Sequence, residues 1–135
     1  MTNDESKLNA PILNDQNGHG RFDLEERTAV FGESCVKFGK KIIVNPVTYG
    51  IVSQFVRAST SVGANYSEAN DAESKKDFRH KIGICRKESK ETKFWLRMIA
   101  TAEPAFRDEA AVLWQEAKEL NLIFGAIVRK CDRKT

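Results

Sequence analysis

Few residues in this 135-residue chain have the types and spacing to do chemistry. The histidines are His19 and His80, and only His80 has an acid at helical distance, Asp77 three residues before it. Paired acid-x-x-His motifs hold two metal ions inside some helix bundles, but such a site needs a second copy of the motif. None exists, and His19 falls in the N-terminal segment. Gly32 to Gly39-Lys40 resembles a phosphate-binding loop only superficially. Six residues separate its glycines rather than four, and its surroundings read as helix rather than as strand followed by helix. Ser59-Thr60-Ser61 lacks a histidine positioned by an acid, so no serine there is an activated nucleophile. The sequence therefore offers no catalytic residue, metal-ligand set, cofactor site or small-molecule substrate, and it argues against an enzyme.

The three cysteines, Cys35, Cys85 and Cys131, are odd in number and widely separated. A secreted disulfide framework would show an even count at closer spacing, so reduced thiols buried on apolar helical stripes are expected. No apolar run approaches the ~18 residues needed to cross a bilayer. The N-terminus lacks the basic-then-apolar order of a signal peptide. These readings predict a cytoplasmic protein with no membrane association.

What remains is pattern and charge. From Leu24 the apolar residues recur in steps of four and three: Leu24, Thr28, Phe31, Cys35, Phe38 and Ile42. Asp23 with Glu26 reads as a capping box for this first helix. Asn45-Pro46 breaks it and opens a second helix, from about Pro46 to Asn70, with Ile51, Val52, Phe55, Val62 and Tyr66 on its apolar side. Small residues among them (Ala58, Ser59, Gly63, Ala64) would let another backbone approach closely. Ser74 with Asp77 starts a third helix, striped by Phe78, Ile82, Cys85, Ser89, Thr92, Leu96 and Ile99 and closed by Glu103-Pro104. The fourth carries Phe106, Ala110, Leu113, Ala117, Leu120, Phe124, Ile127 and Cys131. Sustained four-three spacing with short connections predicts an all-α, antiparallel up-and-down four-helix bundle. Residues 1–21 read as a flexible N-terminal tail, 22–131 as the bundle domain and 132–135 as a C-terminal tail.

The net charge of +3 is small, but its distribution is uneven. Lys75 to Arg97 holds nine basic residues against three acids, a net of +6 that leaves −3 for the rest of the chain. On a wheel of ~100° per residue, Arg79, Arg86, Lys90, Lys93 and Arg97 share a sector of roughly 60° free of acids. Such a ridge can track a phosphate backbone, so RNA or DNA is a candidate partner. The competing reading is a solvated face whose long stems cover apolar surface. It is supported by the lack of interleaved aromatic residues along the ridge. The opposite flank carries Asp77, Ile84, Glu88, Glu91 and Trp95. A second-helix ridge of Arg57, Ser61, Asn65 and Glu68 lies at matching height, Arg57 level with Glu88 and Asn65 with His80. The wheel turns that ridge away from the bundle centre, so an ordered pairing of these groups would form more easily between subunits than within one; a bare solvated face is the competing reading.

The segments FVRASTSVGANYSEA (55–69), SKKDF (74–78) and KESKETKFWLR (87–97) resemble those of the four helix bundle protein family, also called 23S rRNA intervening-sequence proteins. The resemblance extends over about Phe22 to Lys130. It implies a small bacterial protein with an up-and-down four-helix fold and no established enzymatic activity. It also implies self-association, since some members form ring-like homopentamers. Some members are encoded within insertions in large-subunit rRNA genes. A related retroelement accessory protein is a basic pentamer that binds nucleic acid and a reverse transcriptase. The motif positions carried over are Arg57, Ser61, Asn65, Glu68, Lys87, Glu88, Glu91 and Trp95. Two functions follow as expectations: a non-catalytic, self-associating bundle that binds RNA, DNA or a ribonucleoprotein through the third helix, or a protein-interaction module with no nucleic-acid binding.

Overall fold

The computed structural model describes residues 20–133, with side chains described from Leu24. Four helices follow one another: α1 (Gly20–Lys41), α2 (Thr48–Asn70), α3 (Lys75–Ala102) and α4 (Arg107–Arg133). A single 3-10 turn, Pro104–Phe106, joins the last two. Among the described residues there is no strand. Each helix packs antiparallel on its predecessor, and α4 returns beside α1, completing an up-and-down four-helix bundle. Most of the tail expected at the N-terminus lies outside the described residues, as do residues 134–135.

The four-three stripes become the core. Phe31, Cys35, Phe38 and Ile42 of α1 are buried against Phe55, Val62 and Tyr66 of α2, Ile82, Cys85, Leu96 and Ile99 of α3, and Leu113, Leu120 and Phe124 of α4. Phe38 meets Phe55 and Phe106 edge-on, with ring centroids 5.9 and 6.0 Å away. Towards its C-terminus α4 departs from the expected stripe: Gly125 and Val128 are buried, while Ile127 and Cys131 are only half-buried. A straight helix drifts ~20° per heptad against a strict seven-residue repeat, and this rotates the buried face onward. Two of the three cysteines are therefore buried, and Cys131 is not.

The helix boundaries have identifiable causes. Ser74 caps α3, its hydroxyl accepting from the Asp77 N–H at 3.0 Å. At the head of α2, Asn45 and Thr48 form a reciprocal box: Asn45 Oδ1 accepts the Thr48 N–H at 2.9 Å, and Thr48 Oγ1 accepts the Asn45 N–H at 3.0 Å. Because Pro46 has no N–H and Asn45 Oδ1 also holds the Val47 N–H at 2.9 Å, residues 46–47 form a leading turn. Regular helix begins at Thr48, two residues later than the pattern suggested. Helix α1 begins at Gly20, so its backbone starts three residues before Asp23, where the pattern placed the helix start. As expected from its small residues, α2 approaches α1 closely. A side chain begun at Gly63 would stand 3.2 Å from the Thr28 carbonyl oxygen.

Candidate functional site

Helix α3 lies between α2 and α4 and presents a different flank to each. Towards α2 the charges at the seam are paired. The Arg57 guanidinium binds Glu88 at 3.1 Å and also contacts the Glu91 carboxylate. The Trp95 indole N–H donates to the same Glu91 carboxylate at 3.0 Å, and Lys81 pairs with Glu68 at 2.6 Å. The Trp95 N–H and the Arg57 guanidinium hold the Glu91 carboxyl below its ordinary range, while its two carboxylate partners, Glu88 first, raise Arg57. This corrects the expectation that the Arg57 ridge pairs between subunits. Arg57 is level with Glu88 as the register predicted, but its long side chain folds across the α2–α3 seam and closes the pair within one chain. Ser61 and Asn65 turn back onto their own helix, bonding the Arg57 and Ser61 carbonyls at 2.7 and 2.8 Å. Asn65 thus does not face His80, which is exposed, and Lys87 is exposed as well.

The flank towards α4 is mostly uncompensated. Arg86, Lys90 and Arg97 are exposed, and Lys93 is half-buried. Spanning 18 residues at 1.5 Å each, the ridge from Arg79 to Arg97 is ~27 Å long. Helix α4 modifies it in three ways that α3 alone could not reveal. First, Asp132 engages Arg79 through two bonds of 3.0 and 3.1 Å, so an acid does enter the sector at one end. Second, Trp114 supplies the aromatic surface that the ridge itself lacks. Lys93 and Lys118 place their ammonium groups 5.4 and 5.8 Å from its ring centroid, within cation–π range. Third, Asn121 donates to the Arg86 carbonyl at 2.8 Å, and the Arg86 stem lies over Gly125, where an added side chain would begin 3.7 Å away. Lys118 and the exposed Arg129 extend the positive strip onto α4. Phe94, 51% exposed, stands on the outward face of α3 between Lys90 and Arg97 and meets Trp95 edge-on at 4.9 Å.

Elsewhere the polar groups hold the bundle together. Arg27 is 6% exposed and reaches from α1 to α4. Its Nε and Nη2 bind Glu116 at 2.7 and 2.8 Å, and Nη2 also binds Glu119 at 2.8 Å. The Glu116 hydrogen bond raises the Arg27 pKa. Burial pushes the Cys35 thiol up and the Cys85 thiol up to about 12, so both are unreactive at neutral pH. Among the described residues no group of three or more His, Cys, Asp or Glu could hold a metal ion. No described helix is long and apolar enough to cross a membrane.

Comparison with known proteins places this arrangement. Residues 25–126 match the family model described as 23S rRNA-intervening sequence protein. A crystal structure from Bacteroides thetaiotaomicron VPI-5482, described as a protein with unknown function from the S23 ribosomal protein family, is similar to this chain. The two are 26% identical over 81% of this chain and 97% of that one, with a TM-score of 0.70. No curated protein matches the chain.

Proposed function

The chain belongs to the family of 23S rRNA-intervening sequence proteins, and from that premise we propose a non-catalytic, self-associating cytoplasmic bundle that binds RNA or DNA, free or in a ribonucleoprotein, through its α3–α4 face. One observation carries the reading. Of the two flanks of α3, one is neutralised within the chain, whereas Arg86, Lys90 and Arg97 point outward with Lys93, Lys118 and Arg129 alongside. A strip of cations spaced along ~27 Å suits a run of phosphates, and its counterion release would dominate affinity. Trp114 and Phe94 add apolar surface suited to bases or sugars.

The test is binding to a single-stranded RNA across a salt series. About five phosphate contacts give a log–log slope near −3.5 for single strands. Replacing Arg86, Lys90 and Arg97 together by Glu should weaken binding at least ~100-fold at ~0.1 M salt and flatten the slope by about 2. Helicity should stay unchanged, because all three residues are exposed. Full binding by this variant would refute the surface.

A second observation supports self-association. Ile43 and Val44 (each 71% exposed), Val47 and Tyr49 form an apolar cluster at the α1–α2 connection. The Asn45–Thr48 box holds that connection in shape. Fixed, exposed apolar groups of this kind mark contact surfaces. Sedimentation of the wild type against Ile43→Ser/Val47→Ser should show a smaller assembly for the variant. A monomeric wild type would remove this part of the proposal.

A further inference from the structure

Phe94 has no part in the core that would explain an aromatic residue at its position. Nine residues beyond the buried Cys85, it stands about 180° around α3 from that side chain and is 51% exposed. Its surroundings on the helix are cationic. Lys87 seven residues before it, Lys90 four before and Arg97 three after are all exposed. At 1.5 Å per residue, Lys90 and Arg97 bracket the ring at ~6 and ~4.5 Å along the axis. The ring is also held. It packs edge-on against Trp95, with centroids 4.9 Å apart and planes at 77°. The Trp95 indole N–H is in turn fixed to the Glu91 carboxylate at 3.0 Å. A T-shaped contact occupies at most one face of the Phe94 ring, so the other is open to a flat partner.

A held, exposed ring bracketed by cations suits a polyanion that carries flat apolar groups. In a duplex the base faces are stacked on one another, and a protein meets the phosphates and the base edges in the grooves. A phenyl ring among the cations would then face phosphates and gain nothing. In a single strand each base can turn out and lay its face on the ring. The spacing of charge agrees. Across the seam Lys118 and Arg129 are 11 residues apart, ~16 Å along α4, with Leu122, 60% exposed, between them. The second row of cations that the other strand of a duplex would need is thus broken by an apolar side chain.

Building on the nucleic-acid reading of the α3–α4 face, we propose that its ligand is a single strand and that Phe94 is the platform on which a base stacks, whatever its sequence. Stacking can be told from charge. A strip acting by charge alone favours duplex, which releases ~0.9 counterion per phosphate contacted against ~0.7 for a single strand. A preference for the single strand therefore has to come from the bases.

The test compares three probes on the full-length chain: an RNA of about 12 nucleotides, its duplex, and an abasic strand of the same length. Wild type should bind the single strand at least ~5-fold more tightly than the duplex at ~0.1 M salt. Phe94→Ala should weaken single-strand binding about tenfold. The log–log salt slope should not change, because no cation is removed. The same variant should bind duplex and abasic strand within about twofold of wild type, and Phe94→Trp should keep wild-type affinity for the single strand. Duplex bound as tightly as the single strand overturns the proposal, as does a Phe94→Ala loss of equal size on the abasic strand. An unchanged single-strand affinity in Phe94→Ala, with a smaller assembly in sedimentation, would make the ring a protein contact and overturn it too. In each of these cases loss of binding by the Arg86, Lys90 and Arg97 charge reversal would leave the basic strip standing. A wild type that binds none of the three probes overturns both readings.

Discussion

The two flanks of α3 are built from the same residue types in opposite electrostatic states. Facing α2, Glu88 and Glu91 meet Arg57, Trp95 secures Glu91, and Lys81 meets Glu68. Facing α4, Arg86, Lys90, Lys93 and Arg97 meet an acid chiefly at the far end, where Asp132 pairs with Arg79 and also feels the Arg86 charge. The first flank explains why its charges are present without any partner, because they clamp two helices in register. The second has no such internal account. Charge left uncompensated by the fold is where an anionic partner gains most, and most motif positions of the resemblance fall on the flank that is already satisfied.

The largest effect should come where the same Arg-to-two-Glu arrangement is buried. Arg27 holds Glu116 and Glu119 across the α1–α4 seam, and the Glu116 side chain is only 11% exposed. Arg27→Ala strands that carboxylate and should cost about 3–5 kcal/mol, lowering Tm by roughly 10–20 °C. Replacing Arg27 and Glu116 together by Met and Leu removes the desolvated charge as well and should restore most of the loss. A single variant within 1 kcal/mol of wild type would show that water reaches the pair and that the contrast with Arg57 is illusory. Arg27→Ala should leave RNA affinity of the folded protein unchanged, since Arg27 is on the seam remote from the α3–α4 strip.

How much of this was legible depended on the length of the side chains involved. Short side chains obey the wheel, so Ser74, Asn45 and the stripe from Phe31 to Ile42 appear where their spacing puts them. Long ones do not. A wheel fixes the direction in which Arg57 leaves its helix but not the seam that its guanidinium crosses. The same reach hid Arg27, which directly precedes the stripe residue Thr28, and Glu116, which directly precedes Ala117. Two opposite charges, each one position before a core residue on helices that pack antiparallel, were the available signal. Trp114 was invisible for another reason: its role depends on which residues of α3 face α4, and that register is set by the Glu103–Phe106 connection rather than by either helix. The basic ridge was therefore complete as a list of cations and incomplete as a surface.

An intermediate effect separates the flanks directly. Glu88→Gln/Glu91→Gln removes the acids from the paired flank without touching the basic strip. RNA affinity should remain within about threefold of wild type, against the ~100-fold loss for charge reversal on the strip. Arg57→Ala should cost only ~0.2–1 kcal/mol, because its side chain is 46% exposed and the pair is screened by solvent. If the acid-to-amide variant instead lost binding as completely as the strip variant, the division of α3 into a clamp and a contact face would fail.

The smallest effect is in the pH dependence of the clamp. Glu91 has its pKa lowered by the Trp95 indole N–H and then by Arg57. A carboxylate depressed in the folded state contributes stability that is fully present above its unfolded value of ~4.3 and is lost as pH falls through the folded value. The Tm difference between wild type and Arg57→Ala should therefore be constant from about pH 8 to 5 and shrink below pH 4, as Glu91 takes up its proton. A difference for Arg57→Ala that persists undiminished at pH 3 would mean that the arginine acts through packing against Trp95 and α3. The clamp would then be a steric rather than an electrostatic one.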